Sequence, residues 1–352
     1  MRLYYSVIIV FMTLIGNVQL LRAQTPLNDL NWQIDTAKSD EFNGTTINRA
    51  KWHVLDCPSG DCCNWGGSTA FEINNANEVG GILQLRTDGP TPAPAPCNLV
   101  GCYATAGLIS DSSNYSYGYF EMYAQFPGFY NKGVPCGQKF WPAFWLAYAK
   151  IDTTCTLIHE EIDIIDPGKV YQDGKTIGSS WHYQDGHCSM RQYGLINFTA
   201  PSPLFAAYHK FALEWNSNKI IFYFDDIPYS EHYNDTTMIM SPLQLYIDQQ
   251  IVDTNVKFAP SMPFPQYMSV DYFRYYKLNL DCSNSVTLLD STDMSKYVYS
   301  VKSDITFGNG KDSIIMKSTD VKYFRAVNSI TINGTFTAPL GSELGLIPTP
   351  CN

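Results

Sequence analysis

Charge is scarce in this chain. Charged residues make up 16% of its 352 positions, against the roughly 25% usual in soluble domains. The 23 Lys and Arg are outnumbered by 33 Asp and Glu, for a net charge of -10. No long basic run exists, which argues against a nucleic-acid partner and makes polyanionic substrates less natural. Helical periodicity is also missing. No segment shows a sustained 3.6-residue apolar repeat with caps, which argues against helical bundles and wound α/β folds. Beyond the first residues, no apolar run reaches the ~20 residues that a bilayer span needs. Familiar chemical motifs are absent too. There is no G-x-S-x-G elbow. Five residues separate Gly168 from Gly174-Lys175-Thr176, where a phosphate-binding loop has four. The His and Cys spacings fit no zinc finger.

Aromatics, in contrast, are plentiful at 14%, with 24 Tyr and 7 Trp. Such residues suit strands, and their flat apolar faces with polar tips suit sugar-binding clefts. Residues 1–23 read as a secretory leader. Arg2 gives a positive start, Val7 to Ile15 are almost all apolar, and Ala23 offers a small residue before a cut at Gln24. The expected location is therefore outside the cell or at its surface. All 10 Cys follow that leader, and an even count in an exported chain implies disulfides. Spacing alone does not fix their connectivity, although a Cys282–Cys351 bridge would support the C-terminal end. Five N-x-[ST] sequons occur, at Asn43, Asn114, Asn197, Asn234 and Asn333.

Strand signals dominate the rest. In Tyr119–Phe126, the residues Phe120, Met122, Ala124 and Phe126 form one apolar face. Phe211–Trp215, a polar turn, and Ile220–Phe224 read as a hairpin. Short strands separated by turns argue for an antiparallel sandwich. After Asp281-Cys282 the composition changes and Trp disappears. The chain thus divides into a leader (1–23), a large β domain (24–281) and a small C-terminal β module (282–352).

The most informative stretch is His159-Glu160-Glu161-Ile162-Asp163-Ile164-Ile165-Asp166. Side chains two apart on a strand share a face. Glu161 and Asp163 therefore point together with His159, while Ile162 and Ile164 point to a core. Asp166 is one residue out of step. A β-bulge near Ile164-Ile165 would bring it back to the acidic face. Glu160 has the opposite parity. Three carboxylates on one face repel one another, which is costly for structure and useful for acid-base chemistry.

This stretch resembles the E-x-D-x-x-E signature of glycoside hydrolase family 16. Further resemblances run in the family's order over roughly residues 28–281: Ser39-Asp40-Glu41-Phe42-Asn43-Gly44, Ser116-Tyr117-Gly118-Tyr119-Phe120-Glu121, Trp141-Pro142-Ala143-Phe144-Trp145, Ser180-Trp181-His182-Tyr183, the Tyr208–Asp225 hairpin, and Val270–Tyr276. The resemblance implies a β-jelly-roll of two curved antiparallel sheets with a glycan cleft on the concave face. It implies an endo-acting, configuration-retaining hydrolase of a β-linked polysaccharide of β-1,3-glucan or galactan type.

By the same resemblance, Glu161 is the nucleophile, Asp163 its support, and Asp166 stands where the family has its acid/base Glu. Trp141 and Trp145 would line the cleft, with His182 binding the acid or a sugar. No cofactor is implied for catalysis. Glu41 and Asp271 match the places that hold a structural calcium. The expected partner is a polysaccharide, and the expected state a monomer. Asp166 departs from the family at the catalytic acid itself. Two other readings therefore stay open: a catalytically impaired glycan-binding protein on the same scaffold, and a structural cell-surface protein.

Overall fold

A computed structural model describes residues 28–56, 69–89, 103–111, 115–137, 139–151, 157–184, 190–217, 219–233, 242–251, 258 and 261–351. The expected leader and the cysteines at 57, 62, 63, 97, 102, 155 and 188 lie outside the described residues.

Two large sheets are antiparallel throughout. One contains Gly118–Gln125, His209–Asn216, Lys219–Phe224 and Gln266–Leu278 among its eight strands. The other has seven strands: β1 (Trp52–Val54), β2 (Gly107–Ser110), β3 (Phe140–Ile151), β4 (Leu157–Ile165), β5 (Thr176–Gln184), β6 (Met190–Thr199) and β7 (Gln244–Ile251). Their spatial order is β6-β5-β4-β3-β7-β2-β1. One continuous apolar cluster joins the facing sides of the two sheets. Phe120, Met122 and Phe211 come from the first sheet, and Phe144, Ile162 and Ile247 from the second. Every one of these is at most 1% exposed. Full burial of such a side chain contributes roughly 1.5–3 kcal/mol. The period-two pattern therefore acts as expected, with apolar residues filling the sandwich and polar partners facing outward.

The expected Phe211–Phe224 hairpin forms, with Phe211 opposite Phe224 and Trp215 opposite Ile220. The polar-aromatic face of Gly118–Gln125 is less open than alternation suggests. Tyr119 and Glu121 are fully buried there. Tyr119 sits in a second, smaller cluster with Trp32, Ile221, Tyr223 and Tyr276.

The C-terminal part differs in architecture from the sandwich. Val301–Phe307, Val321–Ile332 and Glu343–Pro348 pair in parallel, as do Ser313–Ile315 and Thr335–Thr337. Leu288, Met294, Ile305, Phe307 and Phe324 belong to a separate apolar cluster. The only α-helix among the described residues, Ser291–Lys296, is here. It is too short to show a period in sequence. Its start is set by Asp290, which accepts from the backbone N–H groups of Thr292 and Asp293. A Cys282–Cys351 disulfide closes this region, and Cys136 is unpaired. The Asp29 carboxylate, close to the start of the described chain, forms a buried ion pair with Arg325 at 2.6 Å. Asn31 donates to the Tyr323 carbonyl at 2.8 Å. These contacts tie the C-terminal region to the sandwich.

Candidate active site

The acidic strand is β4, third from one edge of its sheet. Its pairing with β3 runs Ala147 opposite Glu161 and Trp145 opposite Asp163, then shifts to Phe144 opposite Ile165. Ile164 is the extra residue of a one-residue bulge. Ile164 and Ile165 are both buried in the core, and the step out of phase returns Asp166 to the side of Glu161 and Asp163. There the Trp141 indole N–H donates to Asp166 Oδ1. Beyond the bulge, the Asp166 amide donates to the Gly178 carbonyl of β5 at 2.8 Å. A Cβ on Gly178 would meet the Asp166 carbonyl oxygen at 2.6 Å, so only glycine permits this close approach.

Glu161 and Asp163 stand opposite His182 and Ser180 of β5. His182 Nε2 lies 2.9 Å from Asp163 Oδ2 and 3.6 Å from Glu161 Oε1. The Ser180 hydroxyl donates to the same Asp163 oxygen at 2.7 Å. Asp163 is only 2% exposed. Burial, and then the charge of Glu161, push its pKa up, against the pull of His182 and Ser180. For His182, burial opposes the charge, yet the hydrogen bond and field of Asp163, with Glu161 and Asp166, raise its pKa overall. Among the described residues, Glu161, Asp163 and His182 form a trio whose ligand-type atoms lie within 4.8 Å of one another. The His182–Asp163 hydrogen bond and the longer His182–Glu161 contact already account for that closeness.

Trp145 also lies on this face. Its ring stacks on Tyr246 of β7 with centroids 4.2 Å apart, and its N–H donates to Asp248 Oδ2 at 2.7 Å. Trp181, of opposite parity to His182, is 4% exposed and belongs to the core. Glu160 points away from the acidic face and is buried beside Tyr117, whose pKa is raised by burial and then by the charge of Glu160.

The structure thus gathers Glu161, Asp163, Asp166, Trp141, Trp145 and His182 on one face. Glu41 and Asp271 belong elsewhere, and Glu41 is already paired with a cation there. Glu41 spends both oxygens on Arg274, at 2.7 and 2.8 Å. The guanidinium supplies the positive charge a cation would bring. Neither residue falls in a metal-capable group of three or more among the described residues.

Sequence reasoning missed Ser180, Tyr246, Asp248 and Gln250. The alternation Leu245-Tyr246-Ile247-Asp248 was available as a signal, since Leu245 and Ile247 are core residues. Asp248 is fully buried and accepts from Gln250 as well, at 2.6 Å. Burial pushes its pKa up to about 7, its two hydrogen bonds work against this, and the charge of Asp166 adds to it.

An all-β sandwich with a row of carboxylates and indoles on one sheet face defines a candidate carbohydrate-cleaving protein. The family model for glycosyl hydrolases family 16 matches residues 63–262. The chain belongs to that family. It is similar to the endo-1,3-1,4-beta-glycanase ExsH of Rhizobium meliloti, at 24% identity over 214 residues, which is 60% of this chain and 40% of the relative. It is also 26% identical over 217 residues to a probable xyloglucan endotransglucosylase/hydrolase of Arabidopsis thaliana, covering 56% of this chain and 59% of that protein. The chain therefore spans well under two thirds of these relatives. Among solved structures, the laminarinase catalytic domain of Thermotoga maritima superposes with a TM-score of 0.54 at 20% identity, over 70% of this chain and 98% of that one. A kappa-carrageenase of Zobellia galactanivorans gives 0.54 at 20%, over 70% and 96%. These superpositions establish the jelly-roll fold.

Proposed function

We propose that the protein is an exported, endo-acting hydrolase of a β-linked polysaccharide that retains anomeric configuration. The observation that carries this is the bulged strand β4, which sets Glu161, Asp163 and Asp166 on one face. Family membership and the names of its relatives, which include endo-1,3-1,4-beta-glycanases, support a β-glucan-type substrate. In the first step Glu161 attacks the anomeric carbon. The glycosidic bond breaks, and the leaving oxygen takes the proton of Asp166. The product is a glycosyl ester on Glu161. In the second step Asp166 takes a proton from water, the resulting hydroxide attacks the anomeric carbon, and Glu161 leaves as carboxylate. Asp163 tends to keep a proton and His182 tends to gain one. Both tendencies favour a negative charge on the neighbouring Glu161.

Asp166 is one methylene shorter than the Glu of the family signature, and a misplacement of about 1 Å can cost ~10²-fold in rate. Its hydrogen bond from Trp141 favours a second reading as well, a glycan-binding protein in which this carboxylate is structural. NMR of the first products from a mixed-linkage β-1,3-1,4-glucan tests the proposal. Newly formed β-anomers that later mutarotate support retention. Initial α-anomers contradict it, and retention on the glycan without any cleavage favours the second reading.

A further inference from the structure

A fourth carboxylate on this face lies outside the acidic strand. Asp248 sits on β7, directly opposite Ala143 of β3. Continuing the β3–β4 register one step past Phe144 and Ile165 puts Asp166 beside the same Ala143 from the other side. Two carboxylates thus flank one small residue. Each is held by an indole N–H from the strand between them, Asp166 by Trp141 and Asp248 by Trp145. The backbone makes room for this. Asp248 pairs with Gly107 of β2, where a Cβ would come within 2.7 Å of the Asp248 Cβ.

Among the described residues, no cation acts on Asp248: its hydrogen-bond donors are the neutral Trp145 indole and Gln250 amide, and the charge acting on it is that of Asp166. Titratable side chains near it on this face include Tyr246 on its own strand, His53 on β1, and Glu161, Asp163 and His182 beyond Trp145. A buried carboxyl with neutral partners and a negative neighbour holds its proton.

Resting on the proposed hydrolase reading, we propose that Asp248 is a positioning residue for Trp145. It fixes the indole on the glycan-facing side of the sheet through its carboxyl. The Trp145 ring is thereby held against Tyr246, on the face that carries Glu161, Asp163 and Asp166.

The test compares wild type with Asp248→Asn and Asp248→Ala on mixed-linkage β-1,3-1,4-glucan across pH 4 to 9. Asparagine keeps the size and one acceptor but carries no proton or charge. Asp248→Ala should raise KM several-fold with kcat little changed, through the freed Trp145, and asparagine should restore most of that loss because its amide oxygen still accepts from the indole. An alanine variant with unchanged KM overturns the proposal. A separate readout does not need turnover. Tryptophan emission of the free protein should titrate near pH 7 in wild type and lose that transition in Asp248→Asn. A wild type that cleaves nothing refutes the hydrolase reading, while the emission titration still decides whether Asp248 ionises against Trp145. Identical titrations in both proteins overturn the inference by itself.

Discussion

Neutralising Asp248 should change how stability depends on pH, by an amount that follows from its surroundings. An unfolded aspartate loses its proton near 3.8, whereas the folded one keeps it to about 7. That difference is roughly three pKa units, or ~4 kcal/mol. The sign follows from proton counts. Between these two pH values the folded state holds more protons than the unfolded one, so this group's contribution falls as pH rises from about 4 to about 7. Below that window both states are protonated and no penalty exists. Asp248→Asn removes the penalty. It also gives up one of two accepted hydrogen bonds, from Trp145 or Gln250, at about 1 kcal/mol independent of pH. The variant should therefore be about as stable as wild type at pH 4.5 and ~3 kcal/mol more stable at pH 8. For a chain of this size the swing is on the order of 5 °C in Tm. Thermal melts of both proteins at the two pH values measure it. A Tm difference that does not vary with pH would refute the reasoning, because it would mean that Asp248 ionises in the fold as readily as in water.

Other consequences can be checked by similar means. Glu161→Gln should abolish glycan hydrolysis while leaving Tm equal or slightly higher, since it relieves repulsion on Asp163; unaltered turnover would exclude Glu161 as nucleophile. Asp166→Ala should slow polysaccharide cleavage far more than hydrolysis of activated aryl glycosides, whose leaving groups need little protonation. Equal losses on both substrates would remove Asp166 from the acid role. Replacing Cys282 and Cys351 by Ser opens a loop of sequence separation 69 and should cost the C-terminal region about 4 kcal/mol, read as an earlier unfolding step in calorimetry. Arg325→Met leaves the Asp29 carboxylate buried with, among the described residues, no cation beside it and only Asn31 donating to it, and should destabilise by ~3–5 kcal/mol, which a denaturant titration would detect.

Much of the fold was legible because the sandwich obeys a period of two. Phe120, Met122 and Ala124 alternate in sequence and are all buried. The bulge at Ile164 was legible for the same reason, since Asp166 breaks the phase of Glu161 and Asp163 and only an extra residue restores it. What stayed hidden depends on chain segments far apart in sequence. Asp248 is an isolated acid in its own strand and becomes unusual only when Trp145 and Asp166 are packed near it. Glu41 looks like a free oxygen ligand until Arg274, 233 residues later, is found against it. Tyr119 and Glu121 look solvent-facing until the other aromatic residues of the outer cluster, Trp32 and Tyr276 among them, gather over that face. The parallel pairing of the C-terminal strands gave no sequence sign, because short runs such as Ser329–Ile332 suit either direction.

The central claim is that the carboxylates of β4 cleave a β-linked glycan. Reducing-end release from a panel of β-1,3-glucan, mixed-linkage β-1,3-1,4-glucan and galactans, by wild type and Glu161→Gln side by side, tests it most directly. The account predicts release of oligosaccharides from at least one β-glycan by wild type and none by the variant. Equal release by both proteins, or none by wild type on any glycan to which it binds, would contradict it.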